Sequence, residues 1–396
     1  MRARGALAYA VSLIAVLCAG LWLGGHPGQL PELLRDPFVD SSAGLNAEAA
    51  EAIEGSYYRP VGEAELGNAS LQGMVRELRR RHDDRFTEYL SPEILEGFNE
   101  AIEGRFSGVG LSVVPVKSGL RAVQVFPGSP ARKIGIVPGD TIVSVDGDPI
   151  AGESSSEATS KIKGPEGTEV TLGVRDGESG EVRRLRLTRA EVTLPNVSSR
   201  IERVDGAALG YIRMLAFSRG AHAPLAEAVR RVERRGAEGI VLDLRGNPGG
   251  LLDEAVLSAS VFLPEDEVVV RTESRTQGGS VHRTVGGALT SLPLVVLIDR
   301  GTASAAEILA AALADNVGAE VVGTRSFGKG VFQQEEPLSN GGALKLTVGE
   351  YFTPEGVNLA RSRGIHPDEG ASDDPDTPKD EGKARALANL AGQVRR

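Results

Sequence analysis

The stretch from Asp299 to Gln333 carries three side chains whose types suit acyl transfer: Ser304, Lys329 and Gln333. Ser304 lies in Gly301-Thr302-Ala303-Ser304-Ala305-Ala306-Glu307-Ile308, a small-residue turn that leads into an apolar helix expected over Ala305 to Leu313. A strand, Glu320 to Gly323, follows, and then Arg325-Ser326-Phe327-Gly328-Lys329-Gly330-Val331-Phe332-Gln333. A serine hydroxyl is a weak nucleophile until a neighbouring base takes its proton. A lysine amine can act as that base only when neutral, and its ordinary pKa is about 10.4. Burial disfavours the ammonium, and Phe327, Val331 and Phe332 are the apolar neighbours expected to supply it. Bringing the amine to ~7–8 requires a shift of about three units, or ~4 kcal/mol. A glutamine holds an amine by hydrogen bonding without adding a charge that would raise its pKa.

Each part also has a plainer reading. Ser304 and Glu307 fit the S-x-x-E capping box of a helix start. Gly323 to Lys329 fits G-x-x-x-x-G-K, but Gly330 stands where a phosphate-binding loop needs Ser or Thr, and a strand follows in place of a helix. A nucleotide site is therefore set aside. Asp243-Leu244-Arg245-Gly246-Asn247-Pro248-Gly249-Gly250 joins a strand to a helix; its glycines at least permit a tight turn. The turn lacks the G-x-G-x-x-G of a dinucleotide site. An amide of Gly249 or Gly250, together with that of Ala305 at a helix start, would make an oxyanion hole.

Taken together, the Ser304 turn, Phe327-Gly328-Lys329-Gly330 with Gln333 four residues past the lysine, and the Asp243–Gly250 motif resemble the carboxyl-terminal processing peptidases, or tail-specific proteases. The resemblance implies Ser304 as nucleophile, Lys329 as general base and Gln333 as the residue that orients the lysine. It also implies that Asp243 and Arg245 are structural and supply no triad acid. His82-Asp83-Asp84-Arg85-Phe86-Thr87-Glu88-Tyr89-Leu90 and Gly364-Ile365-His366-Pro367-Asp368 resemble two further motifs of that family. His82 beside two aspartates is read as a solvated helix end, and His366 as a loop residue. The resemblance runs from Ala47 to Asp368, with Thr302 and Arg325-Ser326 as small departures.

The positioning elements follow from the rest of the chain. Its 396 residues suggest two or three domains; 41% hydrophobic and 25% charged is a globular composition, and a net charge of −10 argues against nucleic acid. Cys18 is the sole cysteine, so no intrachain disulfide can form, and five scattered histidines give no zinc-binding pattern. In residues 1–25, Arg2 and Arg4 precede an apolar run long enough to span a bilayer, which predicts a retained anchor in preference to a signal peptide cleaved after Gly20. Residues 26–46 read as a linker and residues 47–103 as a helical region broken at Ser91-Pro92.

Residues 104–190 change to short strands separated by turn residues and resemble a PDZ domain over their whole length. Its Gly108-Val109-Gly110-Leu111 loop would offer amides to a peptide carboxylate, and the next strand would pair with the peptide. In residues 191–368, Val192 to Val204 is read as a connector, followed by βαβ units that build the catalytic domain. Residues 369–396 are acidic and Pro-rich and are expected to be disordered, with a short terminal helix over Ala384 to Val394.

The expected fold is an α/β core of crotonase or Clp-protease type with an inserted PDZ domain. The expected function is a serine endopeptidase of the bacterial cell envelope, periplasmic or held at the inner membrane, needing no metal or other cofactor. Its expected partners are protein or peptide substrates with apolar carboxyl termini, an envelope adaptor, and further copies of itself. Two competing readings are a PDZ adaptor on an inactive protease core and an acyl-CoA enzyme sharing the core. The intact Ser304, Lys329 and Gln333 count against the first, and the PDZ segment against the second.

Overall fold

The computed structural model describes residues 41–372 and 379–395, so the anchor expected over 1–25 and most of the linker lie outside the described residues. Residues up to Ser91 form one compact unit, and Pro92 onward form another. The first unit holds α1 (Ser41–Ser56), α2 (Glu63–His82) and β1 (Glu88–Leu90). Helix α2 ends at Asp83, whose left-handed backbone (φ 49°) lets its N–H return to the Arg79 carbonyl. His82 is exposed in the last turn of that helix, as the sequence suggested.

The second unit opens with α3 (Pro92–Glu103). Its PDZ domain then runs through β2 (Arg105–Gly108), β3 (Leu111–Val116), β4 (Gly119–Val125), α4 (Pro130–Lys133), β5 (Thr141–Val145), β6 (Asp148–Pro149), α5 (Ser155–Ile162), β7 (Glu169–Arg175), β8 (Val182–Thr188) and β9 (Ala190–Thr193). The antiparallel order β3-β4-β5-β7-β8 closes over a core that includes Leu120, Ile136, Ile142, Leu172 and Val174. Strand β3 pairs on one side only, leaving an edge. Helix α5 begins at a Ser154–Glu157 capping box and ends where the buried Arg189 guanidinium donates to the Lys161 and Ile162 carbonyls. Strands β2 and β9 pair as a ribbon leading into and out of the domain.

The larger α/β core continues with β10 (Val197–Val204), β11 (Ala207–Met214), α6 (His222–Arg234), β12 (Gly239–Asp243), α7 (Leu252–Ala259), β13 (Val268–Ser274), β14 (Gly278–Arg283) and β15 (Leu294–Ile298). It closes with α8 (Ala305–Val317), β16 (Glu320–Gly323), β17 (Val331–Pro337), β18 (Ala343–Phe352), β19 (Glu369–Gly370) and α9 (Glu381–Val394). The central sheet has the order β10-β11-β12-β15-β16-β19, parallel from β11 onward. Strands β12 and β15 are buried at every residue because both faces are covered. Alternate residues divide between the faces. Ile240, Leu242, Val296 and Ile298 pack under α6, α7 and α8, while Val241, Val295 and Leu297 pack against α9. A second, antiparallel sheet runs β14-β13-β18-β17.

Two expectations are corrected here. The supposed connector from Val192 to Val204 is ladder: β9 pairs with β2, and β10 pairs with β11 along its whole length. The segment from Glu369, expected to be disordered apart from a short helix over Ala384 to Val394, adds to the core in its described residues: β19 pairs with β16, and the expected helix, α9, buries Ala386, Leu387, Leu390 and Ala391 on one face. Asp and Pro residues ahead of this helix dominate the composition of the segment. Burying each leucine contributes roughly 1.5–3 kcal/mol, enough to offset the poor nucleation of a helix this short. Asp380 caps α9 by accepting from Lys383 N–H at 2.8 Å and also binds Arg245 at 2.8 and 2.9 Å. Arg245 in turn grips the fully buried Asp243, to which Tyr211 also donates. Burial and then the Asp243 charge push the Tyr211 phenol up to about 12, so it stays a donor.

Candidate active site

Three turns leave the carboxyl ends of β12, β15 and β16, the edge of an open α/β sheet where crevices form. They are tied together by their own polar groups. Asp299 Oδ1 accepts from Gly246 N at 2.8 Å and from Gly301 and Thr302 N–H groups, and Thr302 Oγ1 donates to Leu244 O at 2.8 Å. Asn247, wholly buried, donates to Met214 O, accepts from Gly249 N at 2.9 Å, and accepts Ala303 N–H on its carbonyl at 3.0 Å. Phe327 N–H donates to Thr302 O at 3.0 Å.

Ser304 stands between this turn and α8 with φ 55° and ψ −121°. That backbone is costly for a residue with a side chain, about 1–3 kcal/mol. The offsetting contact is a hydrogen bond from Ser304 N to Glu307 Oε2 at 2.9 Å; bonds to charged groups contribute about 1.5–3 kcal/mol. Glu307 is fully buried and receives three further donors: Ser326 Oγ at 2.5 Å, Gly328 N at 2.7 Å and Lys329 N at 3.0 Å. One carboxylate thus fixes the backbone of Ser304 and that of Lys329 together. Burial nevertheless raises its pKa above the ordinary carboxylate value, against the pull of those four hydrogen bonds.

Ser304, Lys329 and Gln333 all line one cavity of about 600 Å³. Gly249, Gly250 and Ala305 line it too, and so do Phe217, Leu252, Ile308, Phe332 and Tyr351. Phe332 and Gln333 both reach it because the β17–β18 register shifts between them; neighbours in a regular strand face opposite sides. The Gln333 amide donates to Thr347 Oγ1 at 3.4 Å. A cavity of similar size, about 570 Å³, lies between α3 and the β2–β9 ribbon. Its polar lining is mostly glutamate and it holds no amine able to act as a base.

The glycine turn needs a refinement of the oxyanion expectation. A Cβ on Gly249 would stand 2.7 Å from Ala303 O and 2.8 Å from Ser304 Cβ, so glycine is required for this close approach. The Gly249 N–H, however, is committed to the Asn247 side chain. No acceptor among the described residues takes the N–H groups of Gly250 or Ala305. Phe327 is also corrected: it is 53% exposed and does not line the cavity, whereas Phe332 and Tyr351 do.

The remaining candidates stand apart. Asp243 and Arg245 do not line the cavity. His366 is exposed, its Nε2 3.3 Å from Ser362 O. The sequence offered no histidine near a catalytic motif, yet His282 on β14 reaches the cavity wall indirectly, with Nε2 3.1 Å from Thr272 Oγ1. In the PDZ loop, the Val109 and Gly110 carbonyls accept from Ala131 and Phe126, and no acceptor among the described residues takes the N–H groups of Val109 or Gly110. Sequence reasoning assigned Glu307 to a helix cap and passed over Asn247 and Tyr351. The S-x-x-E spacing was the one available signal for Glu307; for Tyr351 there was only its place in an alternating strand.

A parallel α/β core with serine, lysine and amide groups gathered at its strand ends, joined to a PDZ domain, defines a class of serine peptidase. Residues 208–370 match the model of peptidase family S41, and residues 121–176 match that of a PDZ domain. The chain belongs to peptidase family S41, in its group of carboxyl-terminal processing serine proteases. It is 38% identical over 315 residues to the carboxyl-terminal-processing protease of Synechocystis sp., covering 78% of this chain and 72% of that relative. It is 32% identical over 320 residues to the carboxy-terminal processing protease CtpA of Bacillus subtilis, covering 81% and 67%. Among solved structures, it is similar to the photosystem II D1 C-terminal processing protease, with TM-score 0.50, 30% identity and coverage of 88% and 98%.

Proposed function

We propose that this protease cleaves protein substrates by acyl transfer through Ser304 and Lys329 after its PDZ domain has captured a carboxyl terminus. Lys329 Nζ takes the Ser304 Oγ proton as Oγ attacks the scissile carbonyl, and the carbonyl π pair moves to oxygen. The Gly250 and Ala305 amides receive that oxyanion, with α8 adding its positive end. Collapse breaks the C–N bond, the lysine ammonium gives its proton to the leaving amine, and water then hydrolyses the ester. Gln333 keeps the amine oriented. The observation that carries this reading is the Glu307 carboxylate, which binds the Ser304 and Lys329 amides at 2.9 and 3.0 Å and so holds nucleophile and base in one frame. The apolar cavity wall favours an apolar side chain beside the cleaved bond.

The test uses the full-length protein and an unfolded substrate ending in apolar residues. Wild type should degrade it and Ser304→Ala should not; cleavage by Ser304→Ala would assign the nucleophile elsewhere. The same variant should bind a model peptide acid about tenfold more tightly than its amide, since the free amides of the Val109–Gly110 loop would face a carboxylate. Equal affinities would remove the carboxylate-reading role.

We place the enzyme in the bacterial cell envelope, tethered by residues 1–25, on the length of their apolar run and the arginines at one end. Carbonate extraction should leave it with the membranes. Recovery as a soluble species beginning after Gly20 would replace the anchor with a cleaved signal.

A further inference from the structure

Tyr351 is a polar group within the cavity that the mechanism above does not use. It lies in β18 opposite Thr272 and is 2% exposed. Its main chain is held on both sides: its N–H donates to Gly330 O at 3.0 Å, next to Lys329, and its carbonyl accepts from Asn358 Nδ2 at 3.2 Å. The side chain lines the same cavity as Ser304 and Lys329. Its hydroxyl faces the Ser304 side chain, close enough for that serine to favour the ionised phenol, yet it makes no well-formed hydrogen bond there. A buried hydroxyl left without a partner costs stability. In a resting active site, such a group marks a donor waiting for a charge that appears only during reaction, because catalytic hydrogen bonds tighten in the transition state.

We propose that Tyr351 is a catalytic residue whose hydroxyl donates a hydrogen bond to Ser304 Oγ as that oxygen loses its proton, and again as it leaves the acyl-enzyme. This inference rests on the Ser304–Lys329 reading. During acylation, the Oγ proton passes to Lys329 Nζ, the Oγ–C bond forms and the carbonyl pair moves to oxygen. During deacylation, Lys329 Nζ takes a proton from the water that attacks the ester carbon, the Oγ–C bond then breaks, and Oγ recovers that proton from the lysine. Tyr351 keeps its own proton throughout and stabilises the negative charge passing through Oγ. Burial, followed by the neighbouring Glu307 charge, pushes the phenol well above its ordinary value, which makes it a donor and excludes it as a base. The Gly250 and Ala305 amides serve the substrate oxygen; Tyr351 serves the serine oxygen beside the Lys329 amine that exchanges its proton.

The experiment compares wild type, Tyr351→Phe, Ser304→Ala and Lys329→Ala as full-length proteins. It measures peptide hydrolysis, the rate of Ser304 labelling by a fluorophosphonate, and thermal midpoint. Tyr351→Phe keeps the ring and removes a hydroxyl that makes no well-formed hydrogen bond, so its midpoint should stay close to that of wild type. Its kcat should fall on the order of 10- to 100-fold with KM unchanged, and the labelling rate should fall with it. Hydrolysis and labelling within twofold of wild type would overturn the proposal. So would a loss of rate that merely follows a fall in thermal midpoint, since that assigns the tyrosine to packing. Persistent hydrolysis in Ser304→Ala or Lys329→Ala defeats the underlying mechanism instead, and the two failures are told apart within one set of proteins.

Discussion

Lys329→Ala is expected to cut peptide hydrolysis by on the order of 10³-fold or more while leaving the fold intact. The fold should survive because the main-chain N–H at this position reaches Glu307 whatever the side chain. Lys329→Arg should be equally inactive, since a guanidinium stays protonated at any working pH and cannot accept the serine proton. Two histidines serve as controls. His366 is exposed and outside the cavity, and His282 touches the wall only through Thr272. His366→Ala and His282→Ala should each retain most of the activity. In wild type the rate should rise with pH as the amine loses its proton and then level off. The measurement is the pH profile of kcat/KM for all five proteins. Activity retained in Lys329→Ala and lost in either histidine variant would transfer the base role to that histidine.

The second large effect is expected at Glu307, in both activity and stability. Its two oxygens meet four donors, two on each, from Ser304, Ser326, Gly328 and Lys329. Glu307→Gln turns one oxygen into an NH₂ that faces two N–H or O–H groups, so a pair of buried donors loses its acceptor. At ~1–3 kcal/mol for each stranded group, a loss of about 3 kcal/mol is expected, with activity falling at least 100-fold as Ser304 and Lys329 lose their common support. The pH dependence separates this from generic damage. Burial raises the Glu307 carboxyl above its unfolded value. In the window between the two values the folded state binds more protons, so this group removes stability as pH rises through the window. Glu307→Gln should abolish that contribution, and its deficit relative to wild type should be widest at the acid end. Chemical denaturation from about pH 4 to pH 8 measures it. A pH-independent difference, or wild-type activity, would show that the carboxylate is not the shared support.

The candidate site residues were legible because their signals are local: the Ser304 turn and the Phe327–Gln333 loop are each a contiguous run of small, apolar and polar residues. The buried strands Gly239–Asp243 and Leu294–Ile298 declared themselves by unbroken apolar runs between turn signals. What escaped was non-local. The S-x-x-E spacing shows that Glu307 can return to Ser304, but nothing in it shows that a loop some twenty residues later folds back onto the same carboxylate. The Asn247 side chain takes the Gly249 amide, which only geometry could reveal, and this narrows the proposed oxyanion pair to Gly250 and Ala305. The half-buried pattern of β10 was too irregular to read as an edge strand; the helix over Ala384 to Val394 was read, but not that it packs on the central sheet.

The position of α9 has a consequence for how the enzyme is made. Its leucines line the sheet face beneath β11, β12 and β15, and Arg395, next to its end, pairs with Asp205 in the turn between β10 and β11. Residues near the last of the chain therefore close against some of the first of the core, across a sequence separation of 190 residues. Contacts this distant are slow to form, and a chain made from its amino terminus cannot form them until α9 itself has been made. Both Ser304 and Lys329 emerge well before that. The nascent protease thus carries its reactive groups on a sheet with one face still bare, and the terminal helix acts as the closing stitch that makes that sheet a finished enzyme.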